Sequence, residues 1–171
     1  MVYKALLVGV NYYMQKEDSL LSPLNNIEIM RDFLISYAHF KDRDIKMLSD
    51  SPEYENATFF SITANLKKMI KESNKNDFIF IYFSGYGNFL GELDKESDKY
   101  LKENMKQVTL FKKEVDDTVF LPQDFHIATF SSNYFKTVLN DSESRIFLTF
   151  DCFNIMNKVK LNYFFNVNEE L

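Results

Sequence analysis

Six consecutive apolar residues, Phe78-Ile79-Phe80-Ile81-Tyr82-Phe83, restrict the possible folds of this chain more than any other feature. The run is built from aromatic and β-branched residues and has no polar alternation. That is the pattern of a strand buried on both faces, the usual state of a strand inside a parallel sheet. Such a strand needs helices above and below it, because parallel neighbours are joined by crossovers. At six residues it is far short of the ~20 that span a bilayer. Asp77 precedes it, and Ser84-Gly85-Tyr86-Gly87 is expected to end it.

The remaining segments fit the same plan. Residues 3–10 (YKALLVGV) form a second apolar run, stopped by Asn11. Ser22-Pro23 opens a helical stripe of Ile27, Met30, Leu34 and Tyr37. Residues 44–49 read as a strand. Thr58 can cap a helix that buries Ile62, Leu66, Met69 and Ile70. Residues 115–121 read as a further strand, Ser131 or Ser132 opens a helix carrying Phe135, Val138 and Leu139, and residues 145–151 (RIFLTFD) close the series. This alternation predicts an α/β fold with a mostly parallel central sheet flanked by helices. Function in such sheets gathers at the carboxyl ends of the strands. Here those ends are Asn11, Gly85-Tyr86-Gly87 and Asp151-Cys152-Phe153-Asn154.

Composition narrows the classes. The 171 residues suit one domain, 1–171. A single cysteine, Cys152, excludes an internal disulfide framework and a Cys-rich zinc site, and makes a reducing compartment the default. Net charge of −5 argues against a broad nucleic-acid footprint. Residues 5–10 are too short for a secretory signal core, and the last residues carry no lipidation motif, so a cytoplasmic protein with no membrane association is expected. Residues 88–114 form a polar, lysine-rich insertion. Its Lys95, Lys99, Lys102 and Lys106 are interleaved with acids, as on a solvated surface, or serve as a docking face for an acidic partner or for phosphate. His39 and His126 read as loop residues.

Five segments in register resemble the metacaspases. These are Lys4-Ala5-Leu6-Leu7-Val8-Gly9-Val10-Asn11-Tyr12, Leu24-Asn25-Asn26, the strand ending Ser84-Gly85-Tyr86-Gly87, Asp116-Asp117 with Leu121-Pro122-Gln123-Asp124, and Phe150-Asp151-Cys152-Phe153-Asn154. The resemblance implies a caspase-like three-layer sandwich and a cysteine peptidase that cuts after Arg or Lys, often with calcium. It further implies that the chain is truncated at the C-terminal, small-subunit end. A thiolate attacks the scissile carbonyl in that chemistry, a histidine moves the protons, and a carboxylate pocket pairs with the basic substrate side chain.

Set against that pattern, the catalytic positions are degenerate. The family's histidine position holds Tyr86, whose phenol is a poor proton shuttle at neutral pH. Its nucleophile position holds Phe153, and the next family histidine is Asn154. One pocket acid is replaced by Asn26, while Asp151 keeps its identity; both count as remnants of the substrate pocket. Cys152 stands one residue before the nucleophile position, and strand alternation turns it to the opposite face unless a bulge re-aims it. Asp116 and Asp117 match the acidic stretch that holds calcium in the family, although two adjacent carboxylates fall short of the six to eight oxygens calcium takes. No cofactor other than calcium is implied.

Three functions are therefore open. The first is a catalytically inactive, metacaspase-like binding or regulatory module, or a subunit of a larger complex, with an active metacaspase or a large assembly as partner. The second is a divergent calcium-dependent endopeptidase using Cys152, and the third is a ribonucleoprotein-associated subunit binding through the lysine-rich insertion. Tyr163, Phe164 and Phe165 are awkward in water, and they either fold back over a sheet edge or meet a partner.

Overall fold

A computed structural model describes residues 1–12, 19–87, 118–125, 127–140 and 142–153. Five parallel strands form one sheet in the order β3-β2-β1-β4-β7. They are β1 (Tyr3–Gly9), β2 (Ile45–Ser49), β3 (Glu55–Asn56), β4 (Phe78–Tyr86) and β7 (Arg145–Phe153). Among the described residues the helices are α1 (Pro23–Tyr37), α2 (Phe59–Lys71) and α3 (Ser132–Asn140), and a 3-10 turn, Asp42–Asp44, leads into β2. The expected α/β fold with a parallel sheet and flanking helices is therefore borne out.

Handedness distributes the helices. The chain starts in the middle of the sheet at β1, steps one way through α1 to β2, then returns past β1 through α2 to β4 and on through α3 to β7. Right-handed crossovers place helices that step in opposite directions on opposite faces. Side-chain alternation along β1 shows the result. Leu6 and Val8 join Ile79, Ile81 and Phe83 in a core with Ile62 and Leu66 of α2 and Phe135 of α3. Ala5 and Leu7 join Tyr82 in a second core with Ile27 and Leu34 of α1. Phenyl rings knit the first core, with Phe83 packed against Phe120, Phe135 and Phe150 at centroid distances of 4.7, 5.3 and 5.2 Å.

Local chemistry explains the element starts. The Thr58 hydroxyl caps α2 by accepting from the Ser61 N–H at 3.1 Å. Ser22 makes no side-chain cap on α1; Pro23 occupies the first turn, and the Leu24 N–H donates instead to Asn11 Oδ1 at 2.9 Å. Asn11, almost fully buried, also donates from Nδ2 to the Leu20 carbonyl and from its N–H to Asp50 Oδ1. It ties the end of β1 to the start of α1. Gly9 permits that approach, since a Cβ there would lie 2.6 Å from the Pro23 carbonyl oxygen.

Three sequence expectations need correction. β4 does not stop before Gly85 but runs through it to Tyr86, because β7 stays paired with it to that point. The strand expected over residues 115–121 is β5 (Thr118–Phe120), which pairs antiparallel with β6 (Phe130–Ser131) outside the main sheet. The Leu121 N–H donates to the Tyr86 carbonyl, so this ribbon closes the end of β4 rather than widening the sheet. Tyr37, placed on the buried stripe of α1, is exposed. Ten residues are about 2.8 helical turns, which leaves Tyr37 roughly 80° from Ile27 around the axis.

Candidate functional site

The strand ends converge as the sheet topology requires. β1 stops at Gly9, opposite Ser84, so beyond that point β4 has lost its neighbour on this side. A tyrosine takes over. Tyr12 has φ 59°, a left-handed conformation uncommon for a bulky residue, which folds its ring back beside the extended β4. Its hydroxyl accepts from the Tyr86 N–H at 3.0 Å and donates to the Leu121 carbonyl at 2.7 Å. A phenol thus stands where a strand would have continued the ladder. Burial pushes the Tyr12 phenol well above its usual range, so it remains a hydroxyl donor. The Tyr12 and Tyr86 rings lie 4.9 Å apart.

A polar cluster occupies the α1 face of the same strand ends. Asp151 Oδ2 accepts from the Tyr82 hydroxyl at 2.6 Å and from Asn26 Nδ2 at 3.1 Å, and the same amide nitrogen lies 3.2 Å from Ser84 Oγ. Burial, reinforced by the Asp151 carboxylate it donates to, raises the Tyr82 phenol far above its normal range. Asp151 itself is exposed, so the cluster presents one carboxylate to solvent. Asn26 and Asp151, 125 residues apart, are the two pocket residues singled out from the sequence, and here they touch. Tyr82 and Ser84 complete the cluster. Both sit inside the apolar strand, and only the alternation of β4 could have put them beside Asp151.

Cys152 lies on the other side of the sheet. It packs with the core under α2 and α3, and its thiol is 3.5 Å from the Phe83 carbonyl. Burial, and then the neighbouring Asp151 charge, push the thiol well above its usual range. No bulge interrupts β7 here, since it keeps unbroken register with β4 from Phe78↔Arg145 to Tyr86↔Phe153. The last pair sets the backbone of Tyr86 beside that of Phe153, the two residues that the motif resemblance singled out. Among the described residues, no group of three or more His, Cys, Asp or Glu side chains is arranged to hold a metal ion.

Asp124 of the Pro-x-Asp segment serves the fold: its carboxylate accepts from the Phe59 N–H at the start of α2, at 2.7 Å. His39 is exposed after α1, with φ 62°. Asn154, Asp116, Asp117, His126, Lys95, Lys99, Lys102, Lys106, Tyr163, Phe164 and Phe165 lie outside the described residues. Among the described residues no helix is long and apolar enough to cross a membrane.

Comparison with known proteins agrees with this geometry. Residues 3–132 match the family model described as metacaspase, peptidase C14 domain, and the chain belongs to that family. It is 32% identical over 99 residues to Metacaspase-1 of Lodderomyces elongisporus, covering 57% of this chain and 21% of that protein. It is 30% identical over 99 residues to Metacaspase III c of Phaeodactylum tricornutum, covering 57% and 29%. The similarity to Metacaspase-1 of Candida glabrata is 28% over 153 residues, covering 80% of this chain and 38% of the relative. The chain thus spans between about a fifth and two fifths of the curated relatives it matches.

Proposed function

We propose that this chain is a catalytically inactive, cytoplasmic metacaspase-like module that works by binding, either regulating an active metacaspase or serving as a subunit of a larger complex. One observation carries the reading. At the paired ends of β4 and β7 stand Tyr86 and Phe153, the residues that the motif resemblance sets at the family's histidine and cysteine positions. A phenol is a poor proton shuttle at neutral pH, and a phenyl ring cannot form the acyl intermediate. Cys152 does not substitute for the missing nucleophile. Its thiol faces the core on the opposite side of the sheet from Asp151, and its environment disfavours the thiolate. What persists is a binding feature: one solvent-facing carboxylate, oriented by Tyr82 and Asn26, able to accept a basic side chain from a partner.

Peptides carrying Arg or Lys before the scissile bond, with and without calcium, test the enzymatic half. The expected result is turnover no greater than that of a Cys152→Ala variant. Turnover that vanishes in Cys152→Ala would overturn the proposal in favour of a divergent peptidase. Native size in gentle lysates, with mass spectrometry of co-eluting proteins, tests the binding half. Co-elution with an active metacaspase or a large particle is expected, and elution as a lone 20.3 kDa chain would remove that half.

A further inference from the structure

The hydrogen bonds around Asp151 decide which of its oxygens is left for a ligand. Tyr82 and Ser84 form the floor of the cluster, 5% and 1% exposed, while Asn26 and Asp151 form its rim. The Tyr82 hydroxyl donates to Asp151 Oδ2 at 2.6 Å. Asn26 Nδ2 has two protons and two acceptors, Asp151 Oδ2 at 3.1 Å and Ser84 Oγ at 3.2 Å. A carboxylate oxygen directs two lone pairs, so the two donors on Oδ2 fill it. Every hydrogen bond that the Asp151 side chain accepts from the described residues falls on Oδ2, and Oδ1 stands at the exposed rim. The amide of Asn26 brings no charge, so within the cluster Asp151 is the anionic group.

The two basic side chains ask different things of a carboxylate. A guanidinium is a planar fork whose advantage is a pair of parallel N–H bonds, one to each oxygen. An ammonium is a compact point charge, and one oxygen is enough for it.

We infer that this site selects a lysine side chain over an arginine, and that Tyr82 is the residue that sets the preference. The inference rests on the proposed reading of Asp151 as the acceptor for a partner's basic side chain. It narrows the Arg-or-Lys class that the family resemblance implied. A guanidinium that reaches Oδ1 turns its second N–H toward Oδ2, where the Tyr82 and Asn26 donors already stand, and that N–H is left without an acceptor. A lysine ammonium bonds Oδ1 and keeps its remaining protons in water, because Asp151 is exposed. Discrimination thus comes from a donor that rejects the fork as much as from the charge that attracts both ligands. Since an exposed ion pair is weak alone, the site acts as a selector within a larger contact.

NMR titration of the isotope-labelled 171-residue chain with Nα-acetyl-lysine methylamide and Nα-acetyl-arginine methylamide, read at the Asn26 side-chain amide, is the test. The lysine derivative should bind about threefold more tightly or better, the reverse of the order expected at an open carboxylate. Asp151→Asn should abolish the response to both. Tyr82→Phe keeps a ring that packs with Leu7, Ile27 and Leu34, and it frees one position on Oδ2. It should raise the arginine-to-lysine affinity ratio by about threefold. A tyrosine that only supported the fold would move both affinities together and leave that ratio unchanged. Arginine binding as tightly as lysine in the parent, a comparison that needs no variant, would overturn the inference. So would a ratio unmoved in a folded Tyr82→Phe protein. Either result leaves the reading of Asp151 as a basic-side-chain acceptor standing. An Asn26 amide that responds to neither ligand, or a response that survives Asp151→Asn, would remove that reading and the selectivity with it.

Discussion

Tyr12→Phe isolates the tyrosine that closes the end of β4. The substitution keeps the ring, so no cavity opens and its packing against Tyr86 and Phe125 persists. What is lost is one oxygen that serves two backbone groups, the Tyr86 N–H at 3.0 Å and the Leu121 carbonyl at 2.7 Å. Tyr12 is almost fully buried, as is Leu121. A buried backbone group deprived of its partner costs about 1–3 kcal/mol, so two cost about 2–6 kcal/mol, with about 3 kcal/mol expected because the Tyr86 end is only half-buried. In a domain of this length 1 kcal/mol shifts Tm by about 2–4 °C, so thermal denaturation should show a fall of about 6–12 °C. Native-state hydrogen exchange should show the Tyr86 amide losing protection first. Tyr134→Phe is the control, because among the described residues that half-buried phenol bonds a side-chain hydroxyl, Thr63 at 2.9 Å, rather than backbone, and about 1 kcal/mol or less is expected. A Tyr12→Phe protein that melts no lower than Tyr134→Phe would refute the reasoning.

Two further outcomes follow from the same geometry. Cys152 should react with iodoacetamide at pH 8 at least tenfold more slowly than after unfolding in urea, because burial disfavours its thiolate. The sign extends to stability: a thiol whose pKa is higher folded than unfolded contributes stability below its unfolded value of about 8.5, lost as pH rises beyond it, so alkaline titration of Cys152→Ala should show a shallower decline in Tm than the parent. Gly9→Ala should cost about 1–3 kcal/mol by denaturant titration, since its Cβ would meet the Pro23 carbonyl oxygen at 2.6 Å, with backbone on both sides of the clash; an unchanged midpoint would show that the start of α1 can move away.

Much of this protein was legible in its sequence because the signals were local. The apolar run 78–83 announced a strand buried on both faces, and Thr58 marked its helix correctly. The motif residues fell at the ends of β1, β4 and β7, where the parallel plan put them. Local signals also set the limits of the reading. The glycine at 85 suggested a stop, yet pairing with β7 carries β4 through it. The apolar residues of the 115–121 segment suggested a further strand, but a run of three serves equally for a ribbon that closes a strand end.

The sequence by itself determined the class of fold, because burial on both faces of a strand can be written into consecutive residues, and it carried the motifs by which the family resemblance is read. Only the tertiary structure decided what those residues meet. Asn26 reaches Asp151 across 125 residues, Tyr12 completes a ladder begun on another strand, and Cys152 points away from the surface that Asp151 presents. Among the described residues, the placing of α1 on one face and α2 and α3 on the other likewise comes from the order and direction of the crossovers, which no single segment encodes. Contacts between distant residues depend on register and handedness, and those are fixed only when the strands pair.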